Sequence, residues 1–204
     1  MKKAVFLTSG GLSDEMKALL FDICGKKPQE LKVLLIPTAG IETDGAREGL
    51  AICLDEFAKM GICYDNIFVY NLELIPSKNY KRTYSAHIEK PAMISRLLTL
   101  EEAKGFDVCF VSGGDASVLC REMCRTGVDI ILKEAVNAGL VYVGISAGSM
   151  FAAGNLKRGL NFIANSIIPH QNSKGLLSLP EDGGDILLSD GHAVLVYNDR
   201  ISMI

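Results

Sequence analysis

Four shortages limit what this chain can be. It has no apolar run of membrane-spanning length, no net positive charge, no Cys-x-x-Cys pair and only three histidines. A transmembrane helix needs about 20 consecutive apolar residues, so none is expected. The formal net charge of −3 advertises no nucleic-acid-binding surface. Met1-Lys2-Lys3 followed by Ala4–Leu7 is too short for a signal sequence and meets polar Thr8-Ser9 at once, so the expected compartment is the cytoplasm. The six cysteines, Cys24, Cys53, Cys63, Cys109, Cys120 and Cys124, lie mostly in apolar segments, as buried free thiols do in a reducing compartment. Cys120 and Cys124 stand one helical turn apart, but no histidine accompanies them, and neither a metal nor another cofactor is expected. No internal repeat, low-complexity tract or linker divides the chain, so residues 1–204 are read as a single α/β domain.

What is present alternates. Ala4–Thr8 reads as a buried strand, followed by Ser9-Gly10-Gly11 and a helix capped at Ser13-Asp14 that runs to about Cys24. Leu31–Ile36 is a second strand, stopped by Pro37. Asp44 opens an amphipathic helix carrying Leu50, Leu54, Phe57 and Met60, which ends at Gly61. Asn66–Tyr70 and Phe106–Val111 are further strands; the latter breaks at Ser112-Gly113-Gly114-Asp115. Helices over Ala116–Arg125 and Asp129–Ala138 follow. Strands alternating with helices predict a mostly parallel sheet covered on both faces, with sites beyond the carboxyl ends of its strands. Later, Asn161–Ile168 reads as a strand, Ile186–Leu188 and His192–Tyr197 as short strands joined by Ser189-Asp190-Gly191, and Asn198-Asp199 as the turn of a C-terminal hairpin. Leu74–Lys90 lacks periodicity and is an excursion from the sheet. Its Lys78, Tyr80, Lys81, Arg82, Tyr84 and Lys90 suit either a solvated loop or a basic, aromatic lid.

The stretch with chemistry in it is Val141–Met150. An apolar, β-branched run leads into Gly144-Ile145-Ser146-Ala147-Gly148, and small residues continue to Ala153. Strand, Gly-x-Ser-x-Gly, helix is the context of a nucleophile elbow, in which a strained turn pushes the serine Oγ off the sheet edge. The Ala147 N–H would then lie at a helix N-terminus, where a developing oxyanion is stabilised. Gly113-Gly114-Asp115, at a neighbouring strand end, can supply a second N–H. A serine nucleophile needs a base. His87 lies in the excursion and His192 in an alternating strand pattern. His170, set by Pro169 just past a strand, has the best context.

Together these pieces resemble the dipeptidase E (aspartyl dipeptidase) family of serine peptidases. The matching segments are Leu35–Ala39, Phe110–Leu119, Gly144–Gly148, Ile168-Pro169-His170 and Leu188–Ala193, in family order. The resemblance implies a three-layer α/β/α sandwich akin to class I glutamine amidotransferases, Ser146 as nucleophile, His170 as base, and Gly114, Asp115 and Ala147 around an oxyanion hole. It also implies short peptides as substrates, cleaved after an acidic residue without metal. Nothing in the sequence decides whether the protein is a homodimer.

The chain departs from that pattern. The family places a triad carboxylate between serine and histidine, whereas Ala147–Pro169 holds neither Asp nor Glu. Asn165 could orient the imidazole instead, or Asp182, Asp185 or Asp190 from downstream. The basic segment expected after the histidine is reduced to Lys174, so an acidic substrate would require Arg82 or a neighbouring lysine of the excursion. The leading reading is a serine hydrolase of short peptides. The alternatives are a catalytically impaired relative that binds a small ligand at the same strand ends, and an α/β-hydrolase esterase using His192.

Overall fold

The computed structural model describes residues 3–40, 46–78, 96–171, 179–180 and 183–204, with the side chains of residues 46 and 47 excepted. Strands β1 (Ala4–Thr8), β2 (Val33–Ile36), β3 (Ile67–Val69), β4 (Val108–Val111) and β5 (Val141–Ile145) run parallel in the order β3-β2-β4-β5-β1. The sheet is extended beyond β1 by antiparallel β8 (Ala193–Tyr197) and β9 (Arg200–Met203). β1, β2 and β4 are buried along their whole length, which is why they read as continuous apolar runs rather than alternating ones.

Each strand feeds both faces. Phe6, Val33, Leu35, Phe110 and Val143 pack with Leu20 of α1 (Asp14–Cys24) and Phe57 of α2 (Ala46–Lys59). Val5, Leu7, Leu34, Val111 and Tyr142 face the other way. They meet Leu119 and Met123 of α4 (Ala116–Thr126), Leu132 and Val136 of α5 (Val128–Asn137) and Phe151 of α6 (Ala147–Ala152); the short α3 (Leu100–Ala103) adds Ala103. The result is the expected three-layer sandwich with a C-terminal hairpin. The β8–β9 turn is built by Asn198 and Asp199, with φ of 49° and 62°, the two consecutive positive values that a tight two-residue hairpin turn demands. Helix ends follow local chemistry. The Ser13 hydroxyl accepts from the Met16 N–H at the start of α1, and Gly25 closes that helix at φ 62°.

One expectation fails after the elbow. Asn161–Ile168 is not a strand throughout; only β6 (Ile167–Ile168) is extended. Asn161 sits at φ 51°, incompatible with a strand. The preceding turns are held by Leu160 N–H to Phe151 O and Phe162 N–H to Ala152 O, both 2.8 Å. The short strands on either side of Ser189-Asp190-Gly191 are present, in different sheets. β7 (Ile186–Leu187) pairs parallel with β6 in a separate small sheet, and the turn carries the chain from that sheet to β8. The opening of α2 at Asp44 and most of the excursion, Asn79–Lys90, lie outside the described residues.

Candidate active site

Because β1 to β5 are parallel, their carboxyl ends share one edge. Ser9 follows β1, Thr38 follows β2, Gly113-Gly114 follow β4 and Ser146 follows β5. Ser146 has φ 49° and ψ −104°, a conformation that costs a non-glycine residue on the order of 1–3 kcal/mol and persists only when its surroundings fix it. They do. Its N–H donates to Thr8 O at 3.0 Å, and the buried Ser149 Oγ lies 2.7 Å from Thr8 O and 2.8 Å from Gly144 O. The motif's glycines permit the turn by close approach. A Cβ on Gly144 would stand 2.6 Å from the Gly148 carbonyl carbon, and one on Gly148 would strike the Val111 carbonyl.

His170 leaves β6 through Pro169 and also adopts positive φ, 59°. Its own N–H donates to Ser9 Oγ at 2.7 Å, which fixes that backbone. The ring spans two partners: Nε2 is 2.9 Å from Ser146 Oγ, and Nδ1 is 3.0 Å from Asp190 Oδ1. The Ser9 hydroxyl in turn donates to the same Asp190 oxygen at 2.6 Å. This hydroxyl, foremost, and the imidazole beside it hold the Asp190 carboxyl below its ordinary range, against the opposing cost of burial. An ionised Asp190 can only accept, so the proton between it and His170 belongs to Nδ1, leaving Nε2 free to accept from Ser146. Gly10 makes room for this. A Cβ there would lie 2.7 Å from the Asp190 carboxyl carbon.

Among the candidates for the third group, Asp190 is the one in contact with His170. Asn165 is engaged elsewhere, its amide donating to Gly184 O at 2.8 Å; Asp185 is exposed, and Asp182 lies outside the described residues. Asn155, which also stands in the acid-free stretch, braces the chain by pairing with both the N–H and the carbonyl of Ile167. Gly114 (φ 134°) packs against the Ala39 carbonyl, and Gly113 flanks Ser146; among the described residues the N–H groups of Gly114 and Ala147 have no acceptor. The Asp115 N–H donates to Ala39 O at 2.7 Å, and its carboxylate caps α4 by accepting from Ser117 N–H and Val118 N–H. The imidazole that reaches Ser146 Oγ is that of His170, and the Nδ1 of His192 is buried without a hydrogen-bond partner among the described residues. That removes the geometric basis of the esterase reading.

The sequence reading missed Ser9. The available signal was its place: a serine directly beyond a buried strand, on the edge that carries Ser146. Of the excursion, read as either a solvated loop or a lid, Lys78 packs against Gly127 at the far end of α4, about 16 Å of helix from the edge bearing Ser146. Lys81, Arg82, His87, Lys90 and Lys174 lie outside the described residues. Among the described residues no three His, Cys, Asp or Glu side chains converge as a metal site, and no helix is long and apolar enough to cross a membrane.

The geometry can be set beside known proteins. Two crystal structures share the fold over the whole chain: a candidate peptidase E protein from Listeria monocytogenes EGD-e (TM-score 0.61, 21% identity, 98% of that chain covered) and a peptidase from an acI-B1 Actinobacterium (TM-score 0.61, 19% identity, 88% covered). At sequence level, 50 residues are 38% identical to an uncharacterized peptidase of Pasteurella multocida, covering 24% of each chain. A stretch of 84 residues is 30% identical to an uncharacterized peptidase of Listeria monocytogenes, covering 33% of this chain and 41% of that one. A further 61 residues are 43% identical to peptidase E of Streptomyces coelicolor, 30% of this chain and 24% of that one. These alignments thus span less than half of each curated relative. The profile of peptidase family S51, however, matches residues 87–204, more than half of the chain and the part that carries Ser146, His170 and Asp190. The chain belongs to peptidase family S51.

Proposed function

We propose that this protein is a serine hydrolase that cleaves short peptides through a Ser146 acyl-enzyme, with His170 as general base and Asp190 as the residue that orients it. The observation that carries the reading is the unbroken path from Ser146 Oγ to His170 Nε2 (2.9 Å) and from His170 Nδ1 to Asp190 (3.0 Å), starting at a serine held at φ 49°. Family membership supports peptide hydrolysis as the reaction class.

The steps follow from the groups present. Oγ attacks the scissile carbonyl while Nε2 takes its proton. The oxyanion that forms rests on the Ala147 and Gly114 N–H groups, of which the first also carries the positive end of α6. The imidazolium is stabilised by the Asp190 carboxylate, then passes its proton to the departing amine. Water repeats the sequence to free the acyl group. Chain order is serine, histidine, aspartate, so Asp190 would fill from downstream the place that the family resemblance assigns upstream of the histidine. Gly114 and Ala147, not Asp115, are the donors in this scheme.

The test is labelling with a fluorophosphonate probe, read beside turnover of a dipeptide panel. Wild type should label stoichiometrically and Ser146→Ala not at all. His170→Ala should label at least about 10²-fold more slowly, the usual worth of a positioned base. Wild type that resists labelling and cleaves no dipeptide would instead identify a relative that only binds its ligand.

A further inference from the structure

Beside Ser146 a cavity of about 550 Å³ opens between the sheet edge and helices α1 and α2. That size lies within the roughly 300–1,000 Å³ of sites for small molecules. Gly113, Gly114 and Ile145, which flank Ser146, form one wall. The remainder is mostly apolar: Leu12, Leu35, Leu50, Phe57, Met60 and Phe110. Among the described residues that line it, Lys17 and Glu56 are the only charged groups. They offset each other, with Lys17 Nζ 3.8 Å from Glu56 and 3.2 Å from Asp14. Cys53, also on the wall, has its thiol pushed up by burial and then by Glu56, and so adds no charge.

We infer that this cavity is the subsite for the side chain on the acyl side of the scissile bond, and that it takes a large apolar side chain rather than an acidic one. The inference rests on the serine-hydrolase reading above. In that reading the leaving amine must lie against His170 Nε2 and the oxyanion against Gly114. His170 does not line the cavity and Gly114 does, so a group entering it belongs to the acyl half. A carboxylate there would lose its water and find Glu56 together with a lysine already shared by two acids. Buried charge without a partner is strongly disfavoured. A leucine or phenylalanine side chain would meet apolar walls along its length.

Binding and chemistry can be separated. Calorimetry on Ser146→Ala with Phe-Ala, Asp-Ala and Gly-Ala reads the subsite without turnover, while fluorophosphonate labelling of wild type reads the nucleophile. Phe-Ala should bind at least about tenfold more tightly than Asp-Ala, since even single-methylene differences in apolar pockets discriminate about 10–200-fold. Adding Leu50→Arg should erase or reverse that order, and Cys53→Phe should weaken Phe-Ala more than Gly-Ala by filling the space. Either variant must first retain the wild-type circular dichroism spectrum; the comparison among the three dipeptides stands without them. Asp-Ala binding as tightly as Phe-Ala, or no detectable binding of any dipeptide, overturns the inference. A labelled wild type with an Asp preference leaves the hydrolase intact and removes the apolar subsite. An unlabelled wild type that still selects Phe-Ala does the reverse.

Discussion

Ser9 braces both partners of the His170–Asp190 contact. It accepts from the backbone of His170 and donates to the carboxylate of Asp190, so one hydroxyl sets both ends of the base. Ser9→Ala would leave the His170 N–H without that acceptor and free Asp190 to turn toward water, which its exposure allows. Its kcat should drop about tenfold or more, with KM little changed, because the ring is positioned by this residue while the substrate does not touch it. Asp190→Asn should cost more, about 10²–10⁴-fold in kcat, since an amide in that place can stabilise the wrong tautomer. Steady-state kinetics on one substrate would check both. Equal, mild losses would mean that His170 works without an orienting group. The carboxyl of Asp190 titrates below its ordinary range, so its contact with His170 is present at neutral pH and is lost only as pH falls beneath that range. A decline in activity at mildly acidic pH should therefore be the same in wild type and in Asp190→Glu.

At the scale of elements, much was readable and for a definite reason. β1, β2 and β4 are buried along their whole length, so each appears as an unbroken apolar run, and the serine turn is local enough to be written in five residues. The approach of His170 to Ser146 was legible from Pro169-His170 just past a strand. The third group was not, because its position depends on a pairing between β6 and β7 that neither two-residue strand announces. The same holds for Asn161–Ile168, where one residue at positive φ and a series of turns replace what reads as a strand. Asp115, which follows two glycines, caps α4 with its carboxylate, a role that aspartate at a helix start commonly fills. The β8–β9 turn offers a clean test of local chemistry. Asp199 sits at φ 62°, a conformation that glycine adopts without penalty. Asp199→Gly should stabilise the fold by about 0.5–1 kcal/mol, because Asn-Gly is the preferred pair for this turn. Urea denaturation would show it as a higher midpoint at unchanged slope.

For the whole molecule, the loss of stability in strong acid has an identifiable contributor in Glu102. Glu102 grips Arg96 through both oxygens, at 2.6 and 2.9 Å, and also accepts from the Thr99 N–H. The guanidinium first, and the Thr99 N–H second, pull its carboxyl from 4.5 down to about 2. A depressed carboxylate stabilises the fold at every pH above its unfolded value, and that help disappears as pH falls through the folded value. Glu102→Gln should therefore be less stable than wild type at neutral pH, by about 1 kcal/mol given the partial exposure of the pair. The gap should close between about pH 4.5 and pH 2. Thermal melts across that window would measure it; a gap that persists at pH 2 would point to lost packing instead.

The Ser9–Asp190 contact joins residues 181 positions apart, and the Ser9–His170 contact joins residues 161 apart. During synthesis this has a temporal consequence. A ribosome that has delivered Ser146 has made the nucleophile but not its base, and one that has delivered His170 has made a base with nothing to fix its proton. The relay closes only after residue 190 has left the exit tunnel and the strand behind it has docked on β1, which is already held on its other side by β5. On the reading proposed above, a nascent chain cannot hydrolyse its neighbours, and a chain interrupted before the last two strands should be silent toward the same probe that marks the finished protein.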